Sequence, residues 1–378
     1  MSPSPTRASS SPSSSSSKHS RTFSSRRVAP HAVCESLEAR RLMAAVPAGN
    51  VYHQTNIVSD GAVTAAMTDP DLKNPWGVSF LPSGPLWVSD NGTSKTTVYD
   101  STGNKVLSVN IPGGGGAASA PTGQVANTSG AFVITKNGNS APATFIFAGE
   151  DGGITGWNQS VDEANAVMAK DNSASQASYK GLAIGILKHK PMLYAANFHS
   201  GQVEMYDGTF TRVTRKGAFV DPHLPAGFAP FNVQNLGFGL IGVSFAKRGT
   251  NGDDVAGRGH GVVDLFSTSG VLLRRMSRGN FMNSPWGMTL APADFGPFAG
   301  DLLVGMFGSG RIAVFHPRTG KFFGYLDDST GMPVHNDGLW ALQVGNNGLG
   351  GSSKTLYFTA GLNDEADGLF GSVDVVTG

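Results

Sequence analysis

The chain has 378 residues, of which 15% are charged and 51 are glycine, and its formal net charge is +1. Charged residues make up about a quarter of an ordinary soluble domain, so the long charged helices of coiled coils and α-solenoids are excluded. The glycines lack the three-residue period of collagen. The sequence contains no run of 18 or more apolar residues, and the uncharged stretch 226–246 contains proline and several polar residues, so we expect no transmembrane segment.

The charge is divided unevenly along the chain. Residues 1–41 carry a net charge of +5, and the rest has 21 basic and 25 acidic residues. Such an acidic body predicts no nucleic-acid partner, because nucleic-acid binding needs clustered basic residues. Residues 1–50 form a Ser/Arg-rich leader with too few apolar side chains to offset chain entropy, so we expect disorder there. The single cysteine, Cys34, lies in this leader, and the body can therefore form no internal disulfide.

A short block at residues 34–45 ends the leader. It reads Cys-Glu-Ser-Leu-Glu-Ala-Arg-Arg-Leu-Met-Ala-Ala. It resembles the LEPR-XLL type of N-terminal motif found on exported or surface proteins of some bacteria, with Ala39 where that motif often has proline. The resemblance implies export and an extracellular or cell-surface location. The alternative is a basic amphipathic leader without a sorting role.

After the leader, a strand-rich unit recurs along the body. Its first copy begins with Asn-Pro-Trp-Gly-Val at 74–78 and continues through apolar runs at 86–90, 96–100 and 105–110, which are separated by turn residues. Period-2 alternation between turn residues is typical of short β-strands. Further copies begin near residues 122, 179, 230, 283 and 337. A repeat of about 50 residues with four strands per copy indicates a β-propeller.

The repeat predicts an all-β fold for residues 51–378, namely a six-bladed β-propeller of four-stranded blades preceded by the disordered tail. A lone four-stranded sheet cannot bury its two faces, whereas six sheets packed radially bury both faces of each one. The ring must also close, so we expect the strand at 51–58 to complete the sixth blade. The alternative architecture is a pair of β-sandwiches.

The repeat unit resembles NHL and SMP-30/gluconolactonase-like propeller repeats, and the whole body resembles an uncharacterised bacterial propeller family whose members often end in a PEP-CTERM tail. The resemblance rests on six blocks at residues 74–78, 194–199, 231–235, 253–257, 285–288 and 363–371. It implies no particular activity. The chain stops at Gly378 without an apolar segment followed by basic residues, so we expect no C-terminal membrane anchor.

In a propeller, the starts of the inner strands and the loops between the second and third strands surround the channel on one face. Oxygen ligands from these segments would suit Ca²⁺, and the SMP-30-like resemblance implies a metal held by acidic and amide side chains, although Asn74 replaces the usual glutamate at the first strand. Alternatively, these residues only form turns. The predicted metal ligands are Asn74, Asp90, Glu150, Asn197, Asp253, Asn283, Asp337 and Asp364.

Aromatic residues and one histidine complete the candidate site. Trp76, Trp286 and Trp340 share one position of the repeat, where they would either pack between blades or, with Asn197, bind a flat ligand. His199 is the candidate for proton transfer, and its alternative is a solvated loop histidine. The GxSxG and HExxH motifs and paired CxxC motifs are absent from the sequence, which counts against an ordinary hydrolase.

These patterns favour an exported or surface-associated propeller that acts as a binding or interaction module rather than as an enzyme. Its partner would be an unknown small molecule, glycan or protein, and we expect a monomer. The alternative is a Ca²⁺-dependent lactonase or esterase-like hydrolase with its site at the channel mouth. A structural role in a surface layer is a third hypothesis.

Overall fold

The structure, a computed structural model, describes residues 50–377, with side chains from residue 52 to residue 376. The predictions made for the leader, including its disorder, the motif at 34–45 and Cys34, lie outside the described residues. Among the described residues, no helix has the length and apolar character needed to cross a membrane.

The described chain consists almost entirely of β-strands. It begins with β1 (Asn50–Ser59) and β2 (Met67–Thr68). Blade 1 contains β3 (Pro75–Ser79), β4 (Leu86–Asp90), β5 (Lys95–Tyr99) and β6 (Lys105–Asn110). Blade 2 contains β7 (Pro121–Ala126), an inserted hairpin of β8 (Val133–Lys136) and β9 (Asn139–Pro142), then β10 (Phe145–Gly149), β11 (Gly153–Trp157) and β12 (Val167–Asp171).

The second half of the chain forms the other four blades. Blade 3 contains β13 (Tyr179–Leu187), β14 (Lys190–Asn197) and β15 (Gln202–Asp207). Blade 4 contains β16 (Phe228–Gly237), β17 (Leu240–Lys247), β18 (Gly261–Ser267) and β19 (Leu272–Arg275). Blade 5 contains β20 (Pro285–Leu290), β21 (Leu302–Met306), β22 (Arg311–Phe315) and β23 (Phe322–Tyr325). Blade 6 contains β24 (Leu339–Val344), β25 (Leu356–Gly361), the single turn α1 (Leu362–Glu365) and β26 (Asp367–Thr377).

The predicted six-bladed β-propeller is confirmed, with a local departure in blade 3. That sheet has three strands. In place of a fourth, residues 211–213 make two backbone hydrogen bonds to the outer edge of β15, Asp207 N to Thr211 O at 2.9 Å and Val213 N to Met205 O at 2.8 Å. The chain then leaves the sheet in the loop 214–227, where the prolines Pro222 and Pro225 lack the N–H groups that a longer ladder needs.

The ring is closed by the two ends of the described chain. Strand β1 pairs antiparallel with β26, in a register that runs from Val51 opposite Val376 to Ser59 opposite Leu369. The N-terminal strand therefore supplies the outer strand of blade 6, and the closure predicted for residues 51–58 is confirmed. The Tyr52 hydroxyl also donates to the carbonyl of Phe295 at 3.0 Å, which ties this strand to blade 5.

Most of the hydrophobic core lies between neighbouring blades. One cluster joins blades 5 and 6, where Leu303 and Val314 meet Leu342 and Phe358, all at most 3% exposed. Comparable clusters join blades 2 and 3, blades 3 and 4, and blades 4 and 5. Each sheet thus buries both of its faces against neighbours, which explains why its strands are apolar on both sides.

Every inner strand carries a β-bulge at the same position. In blade 1, Pro75 lies opposite Asp90 and Val78 lies opposite Val88. The chain therefore advances three residues on β3 but only two on β4. The other five inner strands show the same single extra residue. A bulge bends its strand and redirects a side chain. The residues at this position are Trp76, Thr122, Lys180, Phe231, Trp286 and Trp340.

In five of the six blades the residue after the bulge position is glycine or alanine, because the inner strands approach one another closely; blade 4 has Asn232 there. A Cβ atom on Gly123 would lie 2.2 Å from the backbone nitrogen of Leu182, and one on Gly287 would lie 2.4 Å from the carbonyl oxygen of Trp340. Neither backbone atom can move without disturbing a neighbouring blade. The glycines therefore allow a narrow channel.

A buried pair of carboxylates lies where the loop 214–227 meets blade 4. Burial raises the pKa of Asp264 to about 7, and the negative charge of Asp221 adds to the shift while Arg278 opposes it. Burial also raises the pKa of Asp221, but hydrogen bonds from Arg275 and Arg278 outweigh it and lower the pKa to about 2. Both side chains are fully buried or nearly so. The two arginines therefore compensate the negative charge of Asp221 fully and that of Asp264 only in part.

The Asp264 pKa predicts a stability that falls as the pH rises. Because the folded protein holds this proton more tightly than the unfolded chain, the free energy of unfolding should decrease between about pH 4 and pH 7. Asp264→Asn, which stays neutral, should remove the part of this decrease that Asp264 contributes and stabilise the protein at pH 8 by several kcal/mol, on the order of 3. Urea unfolding at pH 5 and pH 8 measures the difference.

The control is Asp221→Asn, which should act in the opposite direction. It removes the partner of Arg275 and Arg278 and should destabilise the protein at both pH values, because the Asp221 carboxylate contributes stability at every pH above its unfolded pKa. An Asp264→Asn variant with the wild-type dependence on pH would show that the buried proton is not on Asp264.

Candidate functional site at the hub

Three tryptophans meet at the bulge position in the centre of the ring. The ring centroids of Trp76 and Trp340 are 3.4 Å apart in a stacked arrangement, and Trp286 lies edge-on 5.8 Å from each of them. Phe231, from the blade opposite Trp76, lies 6.3 Å from it. The tryptophans are only 1–3% exposed, so they pack against one another beneath the channel mouth. Their convergence at one repeat position agrees with the sequence prediction, and ligand binding by them stays a prediction.

The indole N–H groups of Trp286 and Trp340 and the carbonyls of Lys180 and Trp76 join the blades in this layer. Trp286 Nε1 donates to the carbonyl of Lys180 at 2.8 Å, and Trp340 Nε1 donates to Asn74 Oδ1 at 3.0 Å. Thr359 Oγ1 donates to the carbonyl of Trp76 at 2.6 Å. A bulge removes backbone groups from the ladder, and buried groups of this kind need other partners. These bonds supply them and hold the aromatic layer in place.

Lys180 occupies the bulge position of blade 3, where three other blades have tryptophan. It is 3% exposed, and its Nζ lies 5.5 Å from the ring centroid of Trp76 and 5.9 Å from that of Phe198. The ammonium donates to Glu150 Oε1 and, at 3.0 Å, to Asp253 Oδ1. Sequence reasoning missed this residue. Aligning the six copies at the small residue that follows the bulge, Gly181 in this blade, would have identified it.

Above the aromatic layer, hydrogen-bonded polar side chains form what we call the hub ring. Asn74 Nδ2 donates to Glu365 Oε2 at 2.6 Å and to Asn91 Oδ1 at 3.3 Å. Asn91 Nδ2 donates to Glu150 Oε2 at 2.9 Å, and Ser284 Oγ donates to Asp254 Oδ2. Each of the six blades contributes at least one member. The hub ring consists of Asn74, Asn91, Glu150, Lys180, Asp253, Asp254, Ser284 and Glu365.

Unusual backbone conformations position several of these side chains. Asn74 and Ser284, each directly before the proline of an inner strand, have positive φ values of 44° and 46°. Asn363, Asp364 and Glu365 are three consecutive residues in the left-handed region, with φ values of 53°, 53° and 68°. Such residues cost free energy and often mark functional sites. The left-handed turn allows the Glu365 carboxylate to reach Asn74, and nothing in the sequence pattern predicted it.

Two carboxylates of the hub ring, those of Asp254 and Glu365, have raised pKa values. Burial raises the pKa of Asp254, and the charge of Asp253 raises it further, against the opposing effects of Ser284 and Lys180. Burial likewise raises the pKa of Glu365, with contributions from Glu150 and Asp254. Burial alone would lower the pKa of Lys180, but Glu150 and Asp253 outweigh it and the pKa is raised. The hub therefore holds one firmly protonated ammonium among four carboxylates.

The structure brings together only some of the predicted metal ligands. Asn74, Glu150 and Asp253 belong to the hub ring. Asp90 is instead fully buried inside blade 1, where burial raises its pKa well above the usual range. Asn197 is 2% exposed and donates to Glu204 at 3.1 Å rather than to a member of the hub ring.

The remaining candidates lie in loops. Asn283 accepts from the backbone nitrogen of Gly257 at 2.5 Å and donates to the carbonyl of Gly308 at 2.7 Å, so both ends of its amide fasten loops together. Asp337 and Asp364 are exposed. His199 is also exposed, and its backbone carbonyl accepts from Arg248.

This arrangement does not assemble the calcium site that the sequence suggested. Within residues 50–377, no group of three or more histidine, cysteine, aspartate or glutamate side chains is placed to hold a metal ion. The Lys180 ammonium lies between two of the proposed ligands, Glu150 and Asp253. As arranged, these residues do not fit Ca²⁺, and calcium binding at the hub stays a prediction for titration to test.

Comparison with solved structures places the chain among β-propeller proteins. A Bacteroides thetaiotaomicron protein of unknown function superimposes with a TM-score of 0.55 at 10% identity, covering 86% of this chain and 76% of that one. The soluble aldose sugar dehydrogenase of Escherichia coli superimposes with a TM-score of 0.51 at 11% identity, covering 86% and 99%. At such identities the likeness shows the fold alone.

Sequence comparison shows the family. The chain is 30% identical over 326 residues to the uncharacterised protein R648 of Acanthamoeba polyphaga mimivirus, covering 84% of this chain and 78% of that one. It is 32% identical over 326 residues to the uncharacterised protein L690 of the same virus, covering 84% of both. The chain belongs to the same family as these proteins. No family model matches it.

The propeller resemblance seen in the sequence is thus confirmed at the level of the fold. Its finer part, membership of a bacterial family with PEP-CTERM tails and an N-terminal sorting motif, stays a prediction, since the relatives named above are viral.

Lys180→Met should destabilise the protein at neutral pH. The substitution keeps the apolar stem but leaves Glu150 and Asp253 without their cation, beside two further carboxylates. We expect the free energy of unfolding to fall by about 2 kcal/mol at pH 7, because Glu150 and Asp253 are only partly buried, and by less at pH 4, where carboxylates become protonated. Urea unfolding at both pH values measures this.

Two further variants isolate the cause of that loss. Lys190→Met changes an exposed lysine of β14 and should alter the free energy of unfolding by no more than about 0.5 kcal/mol. Adding Glu150→Gln to Lys180→Met should recover part of the loss, because it removes one of the unpaired charges. An equal loss at pH 7 and pH 4 would contradict an electrostatic role for Lys180.

Proposed function

We propose that this protein is a binding propeller that holds a small cationic ligand at the mouth of its hub. The observation that carries the proposal is the imbalance of charge in the hub ring. Four carboxylates, those of Glu150, Asp253, Asp254 and Glu365, surround the single ammonium of Lys180. With all groups ionised, the ring has a formal charge of −3.

The raised pKa values of Asp254 and Glu365 support a cationic ligand. Besides burial, each shift contains repulsion from neighbouring carboxylates of the ring. A cation bound among these groups would relieve that repulsion and favour their ionised forms. Binding and proton release would then be coupled, so affinity should rise with pH over the range in which these two carboxylates titrate.

The solvent exposure of the charged side chains in the hub ring also supports the proposal. The side chain of Asp253 is 60% exposed and that of Glu150 is 26% exposed, whereas the side chain of Lys180 is 4% exposed. These two carboxylates therefore face the solvent and the ammonium lies beneath them. An approaching cation meets negative groups first, and the ring can attract it from a distance at low ionic strength.

The same contacts favour binding over catalysis. Lys180 is kept protonated by Glu150 and Asp253, so its amine is not free to act as a nucleophile or base. The hub ring contains neither histidine nor cysteine. His199, the residue predicted for proton transfer, lies exposed in a loop and is not part of the ring.

The test is a thermal melting series with putrescine, a small diamine, and with 1,4-butanediol as its uncharged analogue, at one fixed salt concentration. Putrescine should raise the melting temperature as its concentration increases, and butanediol should not, because the carboxylates bind only the charged compound. Asp254→Asn combined with Glu365→Gln should abolish the putrescine effect. Asp337→Asn, which alters an exposed carboxylate outside the ring, should retain it.

Three results would count against the hub as an amine site. These are no response to putrescine, the same response in the double variant, and a response to Ca²⁺ without one to putrescine. The last would instead support the metal site suggested by the sequence.

We further propose that the protein acts outside the cell or on its surface, on the basis of the motif at residues 34–45. In a diderm bacterium that produces the full chain, added protease should degrade the propeller on intact cells if the motif directs export. Arg40→Ala combined with Arg41→Ala should leave it protected inside. Protection of both forms would contradict a sorting role for the motif.

A further inference from the structure

A cleft separate from the hub ring lies between blades 4 and 5. Its volume is about 520 Å³, and its lining includes Arg258, Phe281, Ser309, Arg311 and Tyr325. Arg258 comes from the loop between β17 and β18, and Arg311 begins β22. Small-molecule sites commonly have volumes of about 300–1,000 Å³, so the cleft has room for a single-ring compound.

The cleft is positively charged, in contrast to the hub. No ion pair joins Arg258 or Arg311 to a carboxylate in the part of the chain that the structure describes. The Arg311 guanidinium lies 5.3 Å from the centroid of the Tyr325 ring. Stacking on an aromatic ring orients a guanidinium and leaves its N–H groups free to bind an oxoanion in its plane.

The uncharged part of the lining is aromatic and rigid. Phe281 stacks on Phe322 at a centroid distance of 3.9 Å with an interplanar angle of 7°, and Phe322 in turn contacts Tyr325 at 5.5 Å. Phe322 and Tyr325 meet edge to face, with an interplanar angle of 75°, so Phe281 and Tyr325 form an apolar corner beside the two arginines. An aromatic corner next to paired cations suits a ligand that has both a ring and an acidic group.

The lining of the cleft also contains a buried hydroxyl group without a hydrogen-bond partner in the described part of the chain. The hydroxyl of Ser309 is buried and has no hydrogen-bond partner among residues 50–377. Buried hydroxyls are nearly always hydrogen-bonded, so one without a partner in the lining of a cleft calls for an explanation. A hydroxyl or carboxylate oxygen of a ligand would supply the missing partner.

We propose that this cleft binds a ring compound that carries a carboxylate, such as a sugar acid or an aromatic acid. The two guanidinium groups hold the carboxylate, because the fork of N–H donors on arginine matches its two oxygens. The ring of the ligand lies in the corner formed by Phe281 and Tyr325, and Ser309 bonds to a ligand oxygen. This site is independent of the function proposed for the hub, which selects the opposite charge.

The experiment is isothermal titration of the full chain with glucuronate and with benzoate, and with glucose and benzyl alcohol as their uncharged counterparts. At least one acid should bind, and the uncharged compounds should not. Glucuronate binding alone identifies a sugar-acid site, and benzoate binding alone identifies an aromatic-acid site. Both support the cleft as a carboxylate site.

Matched variants locate the binding. Arg258→Gln and Arg311→Gln should each weaken the affinity by about tenfold or more, as expected for a lost charge-assisted hydrogen bond. Arg274→Gln, which changes an exposed arginine on β19, should bind as the wild type does. Melting temperatures confirm that each variant is folded. The proposal is overturned if neither acid binds, if the uncharged compounds bind equally well, or if both cleft variants keep the wild-type affinity.

Discussion

Each blade of this protein is a sheet with two apolar faces, and it can bury both only between two neighbours. Every blade therefore needs a neighbour on each side, and this condition is met only when the ladder between β1 and β26 closes the ring. The core is accordingly distributed over the contacts between blades. Removing one strand from the closure would expose a face of blade 6, which is why residues from opposite ends of the body must pair.

Closure also determines what can happen at the centre. Six inner strands converge there, and each has a bulge at the same position, which directs one side chain per blade into the hub. Four of these side chains are large aromatic rings, which fill the channel. The fifth, Lys180, carries a charge that must be neutralised, and the loops above it supply Glu150 and Asp253 for that purpose. The buried cation thereby organises the carboxylates that surround it.

The two proposed sites differ in sign although one loop contributes to both. The loop between β17 and β18 places Asp253 and Asp254 in the hub ring and Arg258 in the cleft between blades 4 and 5. The second arginine of the cleft, Arg311, begins β22 of blade 5. A propeller can present several chemically distinct surfaces in this way, since its loops vary while its sheets keep the ring intact.

Much of the fold was predictable from the sequence, because a four-strand pattern repeated six times reflects local alternation and turn chemistry that each copy carries by itself. The shared position of Trp76, Trp286 and Trp340 and the closing strand at 51–58 were predictable for the same reason. The site was predictable only in part. Asn74, Glu150 and Asp253 do meet, but Lys180 and Glu365 were missed, and Asp90 lies inside its own blade.

The sequence by itself determined the number of blades and the shared position of the three tryptophans, since both follow from periodicity. Only the tertiary structure decided which polar groups touch. Those contacts depend on bulges, on left-handed turns such as 363–365, and on side chains from blades far apart in the chain, none of which leaves a local pattern in the order of the residues.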